Sequence, residues 1–509
     1  MKHVASLIAL FALASCASTP PVQTSPGNAA STATLESLVP EIDAVFRRYQ
    51  EEAHVPGLVW GVVKDGALVH HGGAGVQDLA SARPVNADSL FRIASVSKAF
   101  TALAILKLRD AGRLSLDAPA EAYVPELKGW TYPTDDAPRI RVRDLLSHVG
   151  GFVTDDPWGD RHQPLAEADF TVMLRAGVPF SRAPQTAYEY SNFGYALLGR
   201  IITNVSGRPF DDYIHAEIMS PLRMASTGYE VSAVPIERRA LGYRWENDRH
   251  ALEPTMGRGV FGAMGGVQTS INDYARWVAF LLDAWPARTG ADQGPVRRSS
   301  VRELAQGLSF PRVFQREDPG GAKPCAVAVT YGMGMNARAD CELGFALSHG
   351  GGYPGYNAYV LLMPDSGVGV FAFANRTHAA IATPVTTAAL TLQRAGLAPA
   401  RVHAVNAALD NAYGVAARMY SAGDLEPGKA VLAMNFLMDQ SAENWAHEFA
   451  KLKHGVGKCD SGTPIKPTGM LSGDFKWTCE RGAIEGQLLL SPTHPPGIQA
   501  LRFKAMPSH

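Results

Sequence analysis

The sequence predicts an α+β protein in which an antiparallel sheet is flanked by helices and interrupted by an all-helical insertion, with a small C-terminal α+β domain. Two strand–turn–strand patterns support this fold, "GLVWGVVKDGALVHHGGAG" near the start and "YNAYVLLMPDSGVGVFAFANR" much later. Because helical and loop segments separate them, a sheet assembled from both ends of one unit explains the order best. From about residue 400 the pattern changes to helices followed by short strands, which indicates a second domain.

Composition places the chain among ordinary globular proteins. It has 509 residues, of which 46% are hydrophobic and 19% charged, enough for two or more cores. The net charge is -1 and the isoelectric point is about 7.0. This balance gives no reason to expect nucleic acid or an anionic membrane surface as a partner.

The first residues are typical of an export signal. Lys2 precedes an apolar stretch from Val4 to Ala14, which is too short to span a membrane. The sequence Leu13-Ala14-Ser15-Cys16 resembles a bacterial lipobox, which implies cleavage before Cys16 and lipidation of its thiol. An ordinary secretory signal is the alternative. We therefore predict a signal peptide over 1–16 and an exported, periplasm-facing lipoprotein whose only membrane attachment is its lipid.

The tether and the first domain follow this signal. Residues 17–34 are small, polar and proline-containing, which predicts a flexible tether. The first domain is predicted over 35–398. It opens with a helix in "TLESLVPEIDAVFRRYQEEA", whose apolar residues have helical spacing. The two hairpins follow, the second with strands over 356–363 and 368–374. A last helix is predicted in "AIATPVTTAALTLQRAG".

The second domain is predicted over 399–509. A helix in "AENWAHEFAKLKHG" precedes strands in "DFKWTCER", "AIEGQLLLSP" and "IQALRFKA". Phe475, Trp477 and Cys479 alternate toward one face of a strand. The arrangement is loosely similar to the nuclear-transport-factor-2-like shape, and it contains no recognisable catalytic constellation.

Four cysteines remain after Cys16, and they allow three pairings. In an exported chain they can oxidise. The neighbouring pairs, Cys325–Cys341 and Cys459–Cys479, are the simplest choice. A zinc site built from all four thiols is the rival, although the pairs lack the tight spacing that such sites favour.

A serine and a lysine open the most apolar helical stretch of the chain. Ser95 and Lys98 are separated by three positions, so they share one face of a helix. The run "AFTALAILKL" predicts that this helix is buried, and Asp110-Ala111-Gly112 supplies its end. Burial lowers the pKa of a lysine, and a neutral amine can take a proton from a serine. Backbone N–H groups at the helix start could stabilise an oxyanion.

A tyrosine and an asparagine precede another apolar helical run. In "YEYSNFGYALLGRII", Tyr190 could shuttle protons, and its pKa is expected to fall if a cation lies close. The Asn192 amide could donate to a substrate carbonyl and accept from Lys98. Alternatively, Ser191 or Asn192 simply caps the helix.

A glycine-rich stretch provides the third group. In "LSHGGGYPGYNAYV", His349 and the glycines after it would end a strand without obstructing side chains. Substrate could then lie against the strand at Gly351, and the N–H of Gly352 could complete an oxyanion hole with that of Ser95. The alternative is a glycine-rich turn with an incidental histidine.

These three motifs, in this order, resemble the serine β-lactamase and penicillin-binding-protein superfamily, most closely its class C β-lactamase-like branch. The stretches "IRVRDLLSHVGGF" and "GAMGGVQTSINDYARW" add to the likeness, which covers about residues 35–395. The resemblance implies a β-lactamase/D,D-peptidase-like fold with Ser95 as the acylated nucleophile and Lys98 as its base. It also implies Tyr190 as proton relay, with Asn192, His349 and Gly351 binding substrate.

The third motif departs from the β-lactamase pattern, which has a lysine where this chain has His349. Imidazole is mostly neutral near pH 7 and is a weaker anion anchor. The sequence therefore predicts a serine hydrolase acting through an acyl-enzyme on small esters, amides or D-amino-acid peptides. A true β-lactamase or D-alanyl-D-alanine carboxypeptidase is the alternative, and a non-catalytic sensor or scaffold is a second.

Several other residues are interpreted as structural. Ser97 is taken as a helix-surface bystander and His148 as a satisfied buried histidine, while Trp158 could line the pocket mouth or only pack. The sequence predicts no cofactor and no metal. The expected partner is a small-molecule or short-peptide substrate, and the oligomeric state stays open.

Overall fold

The computed structural model describes residues 34–316, 324–401 and 405–507. The predicted signal peptide, Cys16 and almost all of the predicted tether lie outside the described residues. This part of the chain divides into two compact units. The first ends at Ala400 and the second begins at Arg401.

A nine-stranded antiparallel sheet forms the first unit, with strand order β3-β2-β1-β13-β12-β11-β10-β9-β8. Two short pairs, β4 with β7 and β5 with β6, lie outside it. The strands of this unit are, in chain order, β1 (Gly57–Lys64), β2 (Ala67–Asp78), β3 (Arg83–Pro84), β4 (Phe91–Arg92), β5 (Tyr243–Glu246), β6 (Arg249–Leu252), β7 (Gln268–Thr269), β8 (Ser309–Arg316), β9 (Cys325–Tyr331), β10 (Asn336–Asp340), β11 (Gly344–Tyr353), β12 (Tyr356–Met363) and β13 (Val368–Ala374).

Both ends of the unit meet in the centre of the sheet, as the sequence predicts. β1 pairs antiparallel with β13, and both strands are apolar and almost wholly buried. The hairpin between β1 and β2 turns at Asp65 and Gly66, which have φ values of 50° and 83°. Positive φ is easily adopted by glycine, so this dipeptide fixes the register of the first hairpin.

Helices cover both faces of the sheet. The helices of the first unit are α1 (Leu35–Glu52), α2 (Lys98–Asp110), α3 (Val142–Leu146), α4 (Trp158–Arg161), α5 (Glu167–Ala176), α6 (Asn192–Ser206), α7 (Phe210–Ile214), α8 (Gly262–Gly265), α9 (Ile271–Leu282), α10 (Arg298–Glu303) and α11 (Ala382–Arg394). Short 3-10 turns over Ala94–Ser97, Ala120–Ala122, Pro125–Gly129 and Ile236–Arg238, and a π turn over His215–Met219, connect some of them.

Alternate residues of β1 point into two different cores. Trp60 packs with Phe46 of α1 and with residues of α11 on one face. Val59 belongs to the core on the other face, where α9 packs against β1 and β2 and where residues of α2 and α6 are also buried. This alternation is the two-residue period of a strand, and it gives the sheet a separate core on each face.

The second unit is a smaller α+β body. It contains α12 (Ala407–Ala422), α13 (Phe436–Asp439), α14 (Ala442–Val456), a 3-10 turn over Glu426–Val431, and strands β14 (Cys459–Asp460), β15 (Lys466–Pro467), β16 (Ser472–Cys479), β17 (Gly482–Leu490) and β18 (Ile498–Pro507). Its core packs Trp477 of β16 against α12 and α14. The likeness to a nuclear-transport-factor-2-like shape stays a prediction.

Two disulfides are present, Cys325–Cys341 in the first unit and Cys459–Cys479 in the second. They are the two pairs that the sequence favours, and they indicate an exported protein, because disulfides persist in oxidising compartments. Within the described residues, no helix is both long and apolar enough to cross a membrane.

Candidate active site

Ser95 lies on a short turn that leads into α2. The turn spans Ala94–Ser97, and Ala94 has a φ of 49°, an unusual backbone conformation for a residue with a side chain. Packing of Ala94 against Tyr353 and Tyr356 holds this conformation in place. The turn sets the Ser95 hydroxyl oxygen 3.1 Å from the Lys98 Nζ atom. The predicted serine–lysine pair is therefore in direct contact.

Lys98 is fully buried and bonded on three sides. Besides Ser95, its Nζ atom donates to Asn192 Oδ1 at 2.8 Å and to the carbonyl oxygen of Met264 at 3.0 Å. Burial lowers the pKa of Lys98 to about 8, although Asp156, Asp160 and Asp155 oppose the shift. A substantial fraction of the amine is then neutral near pH 8, and a neutral amine can accept the proton of Ser95.

Tyr190 is the third member of this group. Its ring centroid lies 4.7 Å from Lys98 Nζ, and its hydroxyl interacts with that of Ser95. The expected fall in pKa does not occur. Burial, followed by the charge of Asp156, raises the pKa of Tyr190 well above its ordinary value. The resting phenol is therefore protonated, which makes Tyr190 a proton donor near Ser95.

The motif after Tyr190 serves two purposes at once. Ser191 caps α6, since its side chain accepts from the N–H of Gly194 at 3.2 Å. Asn192, the first residue of the helix, instead turns its side chain toward Lys98. Its amide Nδ2 donates one hydrogen to Asp156, which leaves the second hydrogen for the predicted donation to a substrate carbonyl.

The acidic loop, residues 154–161, packs on Asn192. The sequence analysis did not single it out. Asp155 accepts from the backbone N–H groups of Asn192 and Phe193, both at 2.7 Å, and so caps α6 a second time. At Gly159 a Cβ would lie 2.8 Å from Asn192 Cβ, so only glycine allows the loop to pass this closely. The run "TDDPWGDR", which holds three aspartates, is the signal by which the sequence could have indicated this loop.

His349 lies on β11 beside this group, but neither ring nitrogen is free. Nδ1 lies 2.7 Å from the carbonyl oxygen of Gly350, and Nε2 lies 3.0 Å from the hydroxyl of Tyr331. Burial and the charge of Lys98 lower the pKa of His349 to about 3. The ring is therefore neutral, as the sequence implied. Its predicted contact with substrate would require one of these bonds to open.

The glycines after His349 allow β11 to approach the Ser95 turn. A Cβ on Gly351 would lie 2.3 Å from the carbonyl oxygen of Ile93. The strand does not end at the glycines, as the sequence suggested, but continues to Tyr353. Pairing with β10 reaches only as far as Ser348, whereas pairing with β12 continues. The assignment of the Ser95 and Gly352 N–H groups to an oxyanion hole stays a prediction.

The structure shows the burial and the contacts of three residues that the sequence analysis placed outside the catalytic group. Ser97 is fully buried, so its interpretation as a surface residue is wrong; its hydroxyl accepts from the N–H of Val267 at 3.1 Å. His148 is buried among tyrosines, and its Nδ1 accepts from Ser191 N–H, while Nε2 has no partner in the described part of the chain. Trp158 is 44% exposed and packs against His162.

The family model described as "Beta-lactamase" matches residues 42–393. "Protein flp" of Staphylococcus aureus (strain NCTC 8325 / PS 47) is 26% identical over 343 residues, which cover 66% of this chain and 62% of that protein. "Esterase EstB" of Burkholderia gladioli is 32% identical over 219 residues, or 41% of this chain and 55% of the esterase. The chain thus spans less than two thirds of the length of either relative.

Solved structures share the fold. The octameric penicillin-binding protein homologue from Pyrococcus abyssi aligns with a TM-score of 0.56 and 19% identity, covering 91% of this chain and 99% of that one. A class C β-lactamase aligns with a TM-score of 0.56 and 19% identity, covering 71% of this chain and 98% of that one. At this identity the likeness shows the fold alone.

Proposed function

The chain belongs to the β-lactamase family, and from that premise and the contacts of Ser95 we propose that it is a serine hydrolase that forms a covalent acyl-enzyme. The observation that carries the proposal is the fully buried Lys98, held between Ser95 and Asn192. A buried lysine without a carboxylate in direct contact is costly, and a base for the adjacent hydroxyl explains why it is there.

Acylation follows from this contact. The Ser95 oxygen attacks the carbonyl carbon of the substrate while its proton passes to neutral Lys98. The substrate oxygen becomes negative and accepts from the N–H groups of Ser95 and Gly352. Tyr190, a protonated phenol beside Ser95, supplies the proton that the leaving group needs and is reprotonated from Lys98. The products of this step are the acylated Ser95 and a free alcohol or amine.

Deacylation uses the same groups in reverse. Water attacks the ester carbon of the acyl-enzyme and gives a proton to the Lys98–Tyr190 pair, and Ser95 regains its own proton as the acid departs. Because the two groups exchange a proton, they titrate as a pair with shared apparent pKa values.

The substrates we propose are small esters, amides or D-amino-acid peptides rather than β-lactams. Neutral His349 supplies no permanent positive charge for a carboxylate, and three aspartates lie near Lys98. A family relative carries the name of an esterase, which agrees with this proposal. We further propose export with lipidation at Cys16, in agreement with the two disulfides.

A fluorophosphonate probe tests the proposal. The wild type should gain one adduct on Ser95, measured by intact mass and peptide mapping, and Ser95→Ala should gain none. Ser97→Ala is the matched control, because Ser97 lies two positions away and its hydroxyl bonds only to Val267 N–H in the described chain. Labelling of Ser95→Ala, or no labelling and no ester hydrolysis by the wild type, would reject the proposed function.

A further inference from the structure

His148 lies in the loop that follows α3 and contacts the segment that leads into α6. Its carbonyl oxygen accepts from the N–H of Glu189 at 2.9 Å, and its Nδ1 atom accepts from the N–H of Ser191 at 3.2 Å. Glu189 and Ser191 are the residues on either side of Tyr190. A single residue of the loop therefore fixes the backbone on both sides of the phenol that lies beside Ser95.

The backbone of His148 suits this double contact. Its φ is 58°, a conformation that is uncommon for residues with side chains and that histidine and asparagine adopt more readily than most. Val149 extends the contact between the two segments, because its carbonyl oxygen accepts from the N–H of Gln185 at 2.7 Å. We therefore expect the loop to stay in place when only the ring of His148 is changed.

The hydrogen bond to Ser191 determines which nitrogen of His148 carries the proton. A backbone N–H can only donate, so Nδ1 is the acceptor and the hydrogen of the ring is on Nε2. Burial, followed by the charge of Lys98, lowers the pKa of His148 well below its ordinary value, which keeps the ring neutral.

The proton on Nε2 makes histidine a costly residue at this position. The side chain is 2% exposed, and Nε2 has no hydrogen-bond partner in the described part of the chain. A buried donor without a partner costs free energy, and phenylalanine would fill the same space without that cost. Packing alone therefore does not explain His148, whereas the acceptor at Nδ1 does.

The His148 ring also contacts the ring of Tyr190 directly, with centroids 4.3 Å apart. Other tyrosine rings around it are those of Tyr331, Tyr195 and Tyr188, at 4.6, 5.2 and 5.8 Å. No hydrogen bond joins His148 to Ser95 or Lys98 within the described residues. The ring is thus placed to hold Tyr190, and not to exchange a proton with the nucleophile itself.

We propose that His148 is a positioning residue that holds Tyr190 in place for proton transfer, through the bond from Ser191 N–H to its Nδ1 atom. The proposal rests on the proposed function, because it concerns the proton donor of the Ser95 centre. The competing explanation is that the His148 ring only fills the space between the tyrosines.

Two variants separate the acceptor from the ring. The side-chain oxygen of asparagine is as many bonds from the backbone as Nδ1 is, so His148→Asn keeps an acceptor and removes the ring. His148→Phe keeps the ring and removes the acceptor. With nitrophenyl butyrate as substrate, kcat should stay within about threefold of the wild type in His148→Asn and fall about tenfold or more in His148→Phe, with KM changed by about twofold or less in both.

The opposite order of activities would show that packing governs the rate and would overturn the proposal. His148→Leu serves as the second variant without an acceptor if His148→Phe does not fold. It is matched in shape to asparagine, and its kcat should also fall about tenfold or more. Equal activity of His148→Leu and His148→Asn would likewise contradict the role of Nδ1.

A double-mutant cycle with Tyr190→Phe tests whether His148 acts through Tyr190. In that background His148→Phe should lower kcat by a further factor of about two or less, because the proton donor is already absent. A tenfold loss in both backgrounds would overturn the proposal. Ester hydrolysis that does not depend on Ser95 would instead reject the proposed function itself.

Nitrogen-15 NMR of histidine-labelled wild-type protein tests the contact even if the variants do not fold. His148 should appear near pH 7 as a neutral ring with its hydrogen on Nε2. The His349→Gln variant, which lacks the other buried histidine of the site, distinguishes the two signals. A charged His148 ring, or a ring with its hydrogen on Nδ1, would overturn the proposal, since Nδ1 would then be unable to accept from Ser191.

Discussion

The Nε2 atom of His349 lies 3.0 Å from the hydroxyl oxygen of Tyr331. The other ring nitrogen, Nδ1, faces the carbonyl oxygen of Gly350, which can only accept, so Nδ1 carries the proton. Nε2 therefore accepts from the Tyr331 hydroxyl. Tyr331 thus fixes both the tautomer and the orientation of the ring on the strand beside Ser95, which makes it a positioning residue.

Replacing Tyr331 with phenylalanine should release this ring. We expect a loss of about 1 kcal/mol in unfolding free energy, typical of one hydrogen bond, and a several-fold decrease in kcat/KM. Nitrogen-15 NMR of histidine-labelled protein should show His349 as the Nδ1–H tautomer in the wild type and as a mixture in the variant. Tyr188→Phe is the control, because Tyr188 packs near Tyr331 without bonding to His349. An unchanged tautomer in Tyr331→Phe would reject the positioning role.

Replacing Tyr190 with phenylalanine should slow both halves of the reaction. The raised pKa makes Tyr190 a donor in the resting enzyme, and its removal leaves the leaving group without a nearby proton source. We expect a decrease of about 100-fold or more in kcat, measured by pre-steady-state acylation and deacylation of a nitrophenyl ester.

Tyr195→Phe is the matched control for Tyr190. Its ring lies 5.2 Å from Lys98 Nζ, much as that of Tyr190 does, but its hydroxyl bonds to the carbonyl oxygen of Leu146. A control that loses as much activity as Tyr190→Phe would show that ring packing, and not proton transfer, governs the rate.

The pKa of Lys98 predicts how the rate depends on pH. Because the base must be neutral, kcat/KM for a neutral ester should rise with pH through an apparent pKa near 8, which belongs to the Lys98–Tyr190 pair. Lys98→Met should abolish this limb along with most of the activity. A profile flat between about pH 6 and 9 would contradict the role of Lys98 as base.

Lys98 also links pH to stability. Its pKa is lower in the folded chain, about 8 against 10.5, so between these values the unfolded chain binds more protons. The unfolding free energy of the wild type should therefore increase relative to that of Lys98→Met as pH rises across this window, by up to about 3 kcal/mol. Denaturant titrations of both proteins at several pH values measure the difference. A constant difference would show that folding does not lower the pKa of Lys98.

The two disulfides should each stabilise their own unit. They close loops with sequence separations of 16 and 20 residues, for which the chain-entropy model gives about 3 kcal/mol each. Replacing Cys459 and Cys479 together by serine should lower the unfolding temperature of the second unit and leave ester hydrolysis by the first unchanged. Non-reduced peptide mapping that linked a cysteine of one pair to a cysteine of the other would contradict the pairing.

The parts of the fold that could be predicted are those whose sequence has a clear local pattern of apolar residues. β12 and β13 are continuous apolar runs around a turn, and α1 has helical spacing with Ile42 and Phe46 buried, so pattern and structure agree. β8 and β10 could not be found in this way. β8 is largely exposed, and the alternation in "NARAD" of β10 covers only five residues with alanine as its apolar member, so both signals are weak, and pairing with neighbouring strands is what makes them strands.

The same distinction applies to the site. Ser95 and Lys98 are neighbours on one turn, so their contact follows from sequence spacing alone. Tyr331 meets His349 only because β9, β10 and β11 pair in order, and no local signal reports that. The pKa of Tyr190 was expected to fall because a cation is near. Its complete burial reversed the direction, and burial depends on the whole packed domain.

The last prediction concerns the charge at His349. The neutral ring and the three aspartates near Lys98 should disfavour substrates with a free carboxylate, so the wild type should hydrolyse a nitrophenyl ester far better than a cephalosporin. His349→Lys adds an ammonium group that the Tyr331 hydroxyl can accept from, and a partly desolvated charge pair contributes about 1 kcal/mol or slightly more. The ratio of kcat/KM for the cephalosporin to that for the ester should then rise about five- to tenfold. His349→Gln, which is polar but neutral, is the matched control and should leave this ratio unchanged. A wild type that prefers the cephalosporin, or an equal rise in both variants, would show that residue 349 does not select substrates by charge.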